Sequence, residues 1–320
     1  MIIVTGGAGF IGSNIIKELN ERGRSDILVV DNLKNSDKFR NLVGVQVLDY
    51  LDKQDFLDAV VSGDFDEEDV EVIFHQGACS DTMEYDGRYM MQNNFEYSKL
   101  LLNYALDNKV QFIYASSAAT YGNGSNGFTE GDKCEDALNV YGFSKLFFDR
   151  YVRQFPPMDS QVVGLKYFDV YGPQEAHKGR MAPVAYQFYQ QLKQTGVIKL
   201  FKGVGGYPDG EQKRDFIYVK DLVNVNMYFW ERPELSGIFN CGTGCSESFN
   251  EVARAVIAHC GKGRIEYVPF PENLKGKYQS FTQADTKALR LSGYSERFKT
   301  VAEGVKEYCE ILDRTDGFYK

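Results

Sequence analysis

The chain opens with MIIVTGGAGFIG at residues 1–12, an apolar run that leads into a glycine-rich turn and then into a helical pattern. Glycines at such a turn let the backbone approach a pyrophosphate, and the N-terminus of the helix that follows supplies free N–H groups and a partial positive charge. Asp31 stands about 20 residues further on, at the end of the next apolar, β-branched run. The stretch therefore predicts the first strand, turn and helix of a dinucleotide-binding sheet.

The residues that follow continue this alternation of short apolar runs and longer helical patterns. The predicted strands are Ile2–Thr5, Ile27–Asp31, Val45–Leu48, Glu71–His75, Phe112–Ser116 and Val162–Phe168, and the predicted helices are Phe10–Arg22, Asn93–Asn108 and Val140–Gln154. Such alternation is typical of a parallel sheet covered by helices on both faces. We predict an α/β fold, with a Rossmann-type doubly wound parallel sheet and a smaller mixed α/β substrate lobe.

The lobe is expected from the second half of the chain, where the rhythm changes after about residue 171 and glycine-rich loops appear. The further predicted elements are a helix at Ala182–Gln194, strands at Asp215–Val219 and Gly237–Asn240, and helices at Ser248–Cys260 and Val301–Asp313. We expect the cofactor domain to comprise residues 1–170 and about 214–247, and the substrate lobe to comprise about 171–213 and 248–320.

Composition narrows the class of protein. With 320 residues, 43% hydrophobic and 25% charged, the chain is typical of a large globular α/β unit. A formal net charge of −9 argues against nucleic acid as the partner, and no apolar run approaches the roughly 18 residues that cross a membrane. The opening strand leaves no room for a signal peptide, so we expect a cytoplasmic protein.

The six cysteines form no Cys-x-x-Cys pair and the three histidines lack metal-ligand spacing, so we expect neither disulfides nor a metal site.

Two further segments carry groups suited to proton transfer. Ser117 ends a predicted strand, where parallel sheets place residues that face a ligand. Tyr141 and Lys145 are four residues apart and therefore share one helix face, where a nearby ammonium lowers the pKa of a phenol from about 10. We predict that Tyr141 exchanges a proton with a substrate hydroxyl during hydride transfer, while Lys145 holds the nicotinamide ribose and Ser117 orients the substrate oxygen.

These residues leave the choice between NAD and NADP open. Asp31 is suited to accept hydrogen bonds from the adenosine ribose hydroxyls, which favours NAD. Asn32, Lys34, Lys38 and Lys53 lie just after the second and third predicted strands, where ammonium groups could hold a 2′-phosphate and favour NADP.

The motifs resemble those of extended short-chain dehydrogenases that act on nucleotide sugars: TGGAGFIG at 5–12, SSAATYG at 116–122, YGFSK at 141–145, YFDVYGP at 167–173 and RDFIYVKDL at 214–222. Within that group the chain resembles the ADP-L-glycero-D-manno-heptose 6-epimerases, from Met1 to about Asp313. GACSDT at 77–82 and HKG at 177–179 are the stretches that distinguish this family.

The resemblance implies that the enzyme inverts carbon 6 of the heptose in ADP-D-glycero-D-manno-heptose, a precursor of the lipopolysaccharide inner core. Hydride passes to tightly bound NADP, leaving a ketone that turns in the pocket, and then returns to the opposite face. Because one fixed base does not serve both positions of the hydroxyl, the resemblance also implies Lys178 as a second acid/base opposite Tyr141. It further implies NADP as the cofactor, with Lys38 and Lys53 near the 2′-phosphate, and a homo-oligomer, which is a pentamer in the family.

The resemblance and the glycine turn together give two sets of contacts. Those expected for the cofactor are Gly6, Gly9, Phe10, Ile11, Gly12, Asp31, Asn32, Lys38, Lys53, Gln76, Gly77, Ala78, Cys79, Ser80, Asn93, Lys145, Val170 and Lys178. Those expected for the substrate are Ser117, Asp169, Arg180, Gln187, Phe201, Lys202, Gly203, Val204, Arg214 and Tyr278. The Arg214 guanidinium is the expected pyrophosphate clamp, because it can pair two phosphate oxygens.

The chain departs from the family pattern at three of these positions: Asp169 stands in place of Asn, Arg180 in place of Ser and Gln187 in place of His. The two new charges either offset each other as a pair or hold the substrate differently. A UDP-hexose 4-epimerase therefore stays an alternative. A 4,6-dehydratase is not expected, because such enzymes carry an Asp-Glu pair where this chain has Ala118-Ala119. A dinucleotide sensor without activity is the remaining alternative, although such sensors typically lose the Tyr-x-x-x-Lys pair.

Overall fold

The computed structural model describes residues 1–65, 68–156, 159–272 and 279–319. The strands in these ranges are β1 Ile2–Thr5, β2 Ile27–Asp31, β3 Asp49–Asp52, β4 Val72–His75, β5 Gln111–Ser117, β6 Val162–Tyr167, β7 Asp169–Tyr171, β8 Val197–Phe201, β9 Lys213–Arg214, β10 Phe216–Tyr218, β11 Gly237–Cys241, β12 Glu247–Ser248 and β13 Arg264–Val268. The α-helices are α1 Phe10–Glu21, α2 Lys53–Ser62, α3 Gly87–Met90, α4 Tyr97–Asp107, α5 Val140–Val152, α6 Val184–Thr195, α7 Val219–Trp230, α8 Phe249–Cys260, α9 Lys287–Leu291 and α10 Val301–Thr315.

A seven-stranded sheet in the order β11-β6-β5-β4-β1-β2-β3 forms the centre of the molecule. Every neighbouring pair in it is parallel. The strands β1, β2, β4 and β6 are buried along their whole length, in keeping with their largely apolar sequences. This arrangement confirms the predicted doubly wound parallel sheet.

Helices cover both faces of the sheet with apolar side chains. On one face, α1 and α7 pack on the strands in a cluster that includes Ile15, Ile16 and Leu222. On the other face, α2, α4 and α5 contribute to a second cluster that includes Phe56 and Leu101. None of the helices in the described ranges is both long and apolar enough to span a membrane.

A third apolar cluster joins α6, α8 and α10 with β8 and β10. Two short parallel pairs, β10 with β7 and β13 with β8, belong to this part of the molecule. The chain then returns to the sheet, because Leu289, Tyr294 and Phe298 lie in the cluster that α1 and α7 form.

The observed elements differ from the prediction in the third strand. The strand predicted at Val45–Leu48 is wrong, since β3 begins only at Asp49 and pairs with β2 as the edge of the sheet. The α2 helix was not predicted, although Asp52 caps its start by accepting a hydrogen bond from the Gln54 N–H. The strand predicted to run to Phe168 ends one residue earlier, at Tyr167, and a separate strand, β7, begins at Asp169.

Candidate active site

A cavity of about 1120 Å³ opens at the carboxyl ends of the central strands. The predicted residues that line it are Gly6, Gly9, Phe10, Ile11, Gly12, Asp31, Asn32, Lys38, Lys53, Gln76, Gly77, Ala78, Cys79, Ser80, Asn93, Ser117, Tyr141, Lys145, Asp169, Val170, Lys178, Gln187, Phe201 and Arg214. Lys202, Gly203 and Val204 follow β8 but do not line the cavity. Arg180 lies in the 3₁₀ helix Ala176–Met181, but its side chain is not described. Tyr278 lies outside the described residues.

The glycine turn between β1 and α1 forms a cradle that side chains would fill. Gly6 has a φ of +64°, and a Cβ atom there would lie 2.8 Å from the carbonyl carbon of Gln76. A Cβ atom on Gly12 would lie 2.3 Å from the carbonyl oxygen of Gly6. Gly9 is the N-cap of α1 and provides no side-chain cap, so the first N–H groups of the helix stay available for an anion. The turn therefore fits the pyrophosphate of a dinucleotide.

Asp31 and Lys38 form a charged pair at the end of β2. The buried Asp31 accepts a hydrogen bond from the Ala8 N–H at 2.9 Å through Oδ2 and from the Lys38 ammonium at 2.8 Å through Oδ1. Lys38 also donates to the Asn32 carbonyl oxygen at 3.3 Å. Because a carboxylate has about four acceptor positions, Asp31 can still bind a ribose diol, while Lys38 puts a positive charge beside it. The pair is compatible with either NAD or NADP.

Lys53 approaches the cavity from the start of α2. Its ammonium donates to Asn93 Oδ1 at 2.8 Å and lies 4.3 Å from the centre of the Tyr97 ring. Burial lowers the pKa of Lys53, and the nearby Lys34 lowers it further. An anionic group of a ligand beside Lys53 would stabilise its charged form and raise its pKa again.

The three residues predicted for proton transfer lie on one wall, where α5 packs against the end of β5. A Cβ atom on Gly142 would lie 2.6 Å from the carbonyl oxygen of Ala119, so this glycine allows the helix to approach the turn after β5. Lys145 donates to the Ala115 carbonyl oxygen at 2.7 Å, and Tyr141 is hydrogen-bonded to Ser117. The elements thus bring Ser117, Tyr141 and Lys145 together, as the sequence predicts.

The direction of one predicted pKa shift is wrong. Burial raises the pKa of Tyr141 despite its hydrogen bond with Ser117, which lowers it. Burial also lowers the pKa of Lys145 to about 8, although the charge of Asp149 opposes this change. Desolvation of both groups therefore outweighs the expected effect of the ammonium on the pKa of the phenol.

A buried group of charges lies behind this wall. The Lys166 ammonium lies 2.7 Å from Asp149 Oδ2 and 2.8 Å from Glu135 Oε1, and it donates to Thr120 Oγ1 at 2.9 Å. Thr120 in turn donates to the Ser117 carbonyl oxygen at 2.8 Å. Asp149 belongs to α5 and follows Lys145 by one helical turn. Lys166 therefore ties the end of β5 to the helix that carries Tyr141 and Lys145.

Lys178 reaches the cavity from a different wall, formed by the segment after β7. Its ammonium lies 5.6 Å from the centre of the Phe10 ring at the start of α1. Burial lowers the pKa of Lys178, and the charge of the neighbouring Glu175 opposes this shift. A lysine in such surroundings loses its proton more readily than one in water.

Asp169 and Arg214 pair at the far side of the cavity, with Arg214 Nε 3.7 Å from Asp169 Oδ1. Asp169 Oδ2 also accepts a hydrogen bond from the Thr282 hydroxyl at 3.1 Å. Burial raises the pKa of Asp169, while Arg214 opposes the shift. The described ion-pair partner of Asp169 is thus Arg214. Pairing with Arg180 was one of the two alternatives from sequence, and the side chain of Arg180 is not described.

Some residues near the cavity were missed by the sequence analysis. The ring of Phe249, the first residue of α8, lines the cavity with its centre 5.9 Å from the Arg214 guanidinium carbon. A signal existed in the capping box formed by Ser248 and Glu251, which marks the start of α8. Asn41 and Gln174 also hold parts of the site in place, but their contacts are long-range and carry no local signal.

Comparison with known proteins places these features in a family. The model of the NAD dependent epimerase/dehydratase family matches residues 2–242. The chain is similar to the ADP-L-glycero-D-manno-heptose-6-epimerase of Helicobacter pylori, with 30% identity and a TM-score of 0.85 over 98% of this chain and 96% of that one. It is also similar to the UDP-glucose 4-epimerases of Thermotoga maritima and of Thermus thermophilus, the first solved with UDP-glucose and the second with NAD. Each is 26% identical, with a TM-score of 0.80 over 98% of this chain and 99% of the other.

Proposed function

Because the chain belongs to the NAD dependent epimerase/dehydratase family, we propose that it epimerises a nucleotide sugar, and that its substrate is ADP-D-glycero-D-manno-heptose, inverted at carbon 6. The observation that carries this proposal is the composition of the cavity. Ser117, Tyr141 and Lys145 occupy one wall, and Lys178 enters from another. The similarity to the Helicobacter pylori enzyme over almost the whole chain supports the choice of substrate.

The cofactor we propose is NADP, with NAD as the alternative. The glycine turn and the N-terminus of α1 would hold its pyrophosphate, and Asp31 and Lys38 would hold the adenosine ribose and its 2′-phosphate. Lys145 would hold the nicotinamide ribose. When bound, the cofactor supplies the acceptor and donor of the hydride.

The side chains of the protein would manage the proton. Ser117 would orient the reacting hydroxyl, and Tyr141 would exchange its proton on one side of the sugar. Lys178 would do the same on the other side once the ketone has turned. The group that takes the proton from the hydroxyl must be deprotonated when the substrate binds, and the group that protonates the ketone oxygen must be protonated. Burial raises the pKa of Tyr141 and lowers that of Lys178, which favours the direction in which Lys178 accepts the proton and Tyr141 donates one. Each conversion moves one proton from one group to the other, and exchange of both groups with water restores their protonation before the next conversion in the same direction.

Arg214 is the proposed clamp for the diphosphate, since its guanidinium can bind two phosphate oxygens in an otherwise acidic protein. The Phe249 ring beside it offers an apolar surface. Asp169, which replaces the Asn of the family pattern, would share Arg214 with the diphosphate. We propose that this competition sets how tightly the nucleotide is held.

The experiment that tests this function is proton NMR of the purified protein with ADP-D-glycero-D-manno-heptose, without added cofactor. Appearance of the L-glycero epimer would establish both the reaction and a retained cofactor. Lys178→Met and Tyr141→Phe proteins serve as controls. A lack of conversion, even with NADP supplied, would refute the heptose assignment.

A UDP-hexose 4-epimerase is the second candidate, because the two UDP-glucose 4-epimerases resemble this chain over 98% of its length. Turnover of UDP-glucose in the same NMR assay, with no turnover of the ADP-heptose, would favour it.

We also propose a homo-oligomer, a pentamer by family resemblance, which light scattering of the purified protein would test. The division into a cofactor domain and a substrate lobe, as predicted from the sequence, is likewise a proposal.

A further inference from the structure

The segment that carries Lys178 begins with a residue in an unusual backbone conformation. Gln174 has a φ of 76°, in the left-handed region that residues other than glycine rarely occupy. It is 1% exposed and precedes Lys178 by four residues. Such a conformation persists where the surrounding structure holds it, and it is frequent near functional sites.

All four polar groups of Gln174 are bound, and by two separate parts of the chain. Its N–H donates to the Gly317 carbonyl oxygen at 2.8 Å, and its side-chain oxygen accepts from the Tyr319 N–H at 3.1 Å. Its side-chain NH₂ donates to the Asn41 carbonyl oxygen at 3.1 Å, and its own carbonyl oxygen accepts from Asn41 Nδ2 at 3.1 Å. Gln174 is therefore fixed between Asn41 and the segment Gly317–Tyr319.

Asn41 is anchored to the cofactor side of the cavity. Asn41 Nδ2 also donates to the Ala8 carbonyl oxygen in the glycine turn at 2.9 Å, and it lies 3.2 Å from His177 Nδ1. His177 is the residue immediately before Lys178. The amide of Asn41 thus connects the glycine turn to the segment that carries Lys178.

The segment Gly317–Tyr319 is anchored in the same region. The Tyr319 hydroxyl donates to Asn14 Oδ1 of α1 at 3.1 Å, and Asn14 Nδ2 donates to the Pro173 carbonyl oxygen at 3.0 Å. The Arg40 guanidinium carbon lies 3.9 Å from the centre of the Phe318 ring. Residues that are far apart in sequence therefore enclose Pro173 and Gln174 from several sides.

We propose that Gln174 and the segment Gly317–Tyr319 form a clamp that positions Lys178 for proton transfer. The proposal rests on the proposed function of Lys178. Among the described residues that line the cavity, neither Gln174 nor any residue of Gly317–Tyr319 is present, so the clamp acts through Lys178 and not by contact with ligands. Proton transfer requires a donor and acceptor at hydrogen-bond distance, and a misplacement of about 1 Å can cost about a hundredfold in rate.

Loosening the clamp has a consequence that general destabilisation lacks. Lys178 and Tyr141 would take the proton from opposite epimers, so displacement of Lys178 blocks oxidation of only one of them. The other epimer is still oxidised in enzyme molecules whose Tyr141 is deprotonated, but the ketone is no longer converted onward. Reduced nicotinamide then accumulates with one epimer and not with the other.

The test uses two variants in the full protein: a chain that stops after Asp316, and Gln174→Gly, which tolerates the left-handed backbone but lacks the amide. Lys109→Gly is the matched control, because Lys109 is an exposed residue with a φ of 56° outside the cavity. We expect both clamp variants to lose about tenfold or more in turnover, with cofactor affinity changed less than about twofold. They should accumulate reduced nicotinamide, followed by its near-ultraviolet absorbance, with one epimer only, and the same result is expected for Lys178→Met.

Trypsin cleavage after Lys178, followed by mass spectrometry, gives a readout that needs no substrate. We expect cleavage about tenfold faster in both clamp variants than in the parent and in Lys109→Gly. Parent-like cleavage and turnover in both clamp variants would overturn the clamp. Full turnover in Lys178→Met would instead refute the proposed role of Lys178, and the proteolysis would still decide whether the clamp holds the segment.

Discussion

Replacing Lys166 by methionine is expected to lower the free energy of unfolding by about 3–5 kcal/mol, because it removes one partner of a buried ion pair. The side chains of Lys166, Glu135 and Asp149 have 0% exposure, so water does not replace the lost ammonium. Arg153 supplies the second positive charge of the cluster through two hydrogen bonds of 2.7 Å to Glu135. Two positive and two negative groups balance in the native protein, and methionine leaves one carboxylate uncompensated.

A double variant separates charge from packing. Lys166→Met combined with Asp149→Asn removes one charge of each sign, so its loss of stability should be smaller than the sum of the two single losses by about 0.5–3 kcal/mol.

The dependence of stability on pH provides a second check. Burial alone would raise the pKa of Glu135, but Arg153 and Lys166 outweigh it and lower the pKa to about 2. The contribution of Glu135 to the free energy of unfolding is therefore fully present above its unfolded-state pKa of 4.5 and is lost as the pH falls toward 2. Lys166→Met should weaken this dependence of stability on pH.

Urea unfolding followed by the fluorescence of Trp230 is the assay. Trp230 is the one tryptophan of the chain, and its ring centre lies 6.3 Å from that of Phe74 in the central sheet. Lys220→Met is the control, since Lys220 is 46% exposed in its ion pair with Glu307 and its loss should cost less than about 1 kcal/mol. A loss for Lys166→Met as small as that of the control, or full additivity in the double variant, would refute the reasoning.

Three further outcomes are expected at the site. Tyr141→Phe and Lys178→Met should each lower turnover by about a hundredfold or more, and a variant with full turnover would exclude that residue from proton transfer. Lys38→Ala should weaken binding of NADP more than that of NAD in calorimetric titrations, whereas equal losses would remove Lys38 from the 2′-phosphate site. Because burial lowers the pKa of Lys145 to about 8, the ammonium is lost as the pH rises through that value, and cofactor affinity should fall there. Affinity that stays constant well above pH 8 would contradict this role.

The parts of the fold with local signals were predictable. The bounds of β1 and β2 agree with prediction, because strands buried on both faces are apolar throughout and the glycine turn fixes their connection. The third strand was not predictable in this way. Its residues Asp49–Asp52 are mostly polar and partly exposed, since an edge strand pairs with a single neighbour. The more apolar Val45–Leu48 before it therefore gave the stronger but wrong signal.

In the candidate site, too, only the residues with local sequence signals could be predicted. Ser117, Tyr141 and Lys145 could be grouped from sequence because one lies at a strand end and two share a helix face. The contacts of Gln174 with Asn41 join residues 133 positions apart, and no periodicity reports such pairs. The pKa of Tyr141 depends on how much water the folded chain excludes, which a sequence does not contain.

The return of Leu289, Tyr294 and Phe298 to the sheet has a consequence for synthesis of the protein. These residues complete the apolar cluster to which β1 and α1 contribute, so an earlier segment waits for one that is made much later. On the ribosome the growing polypeptide carries an unfinished apolar surface until that later segment is made. A nascent chain in that state is open to aggregation and is a natural client of chaperones.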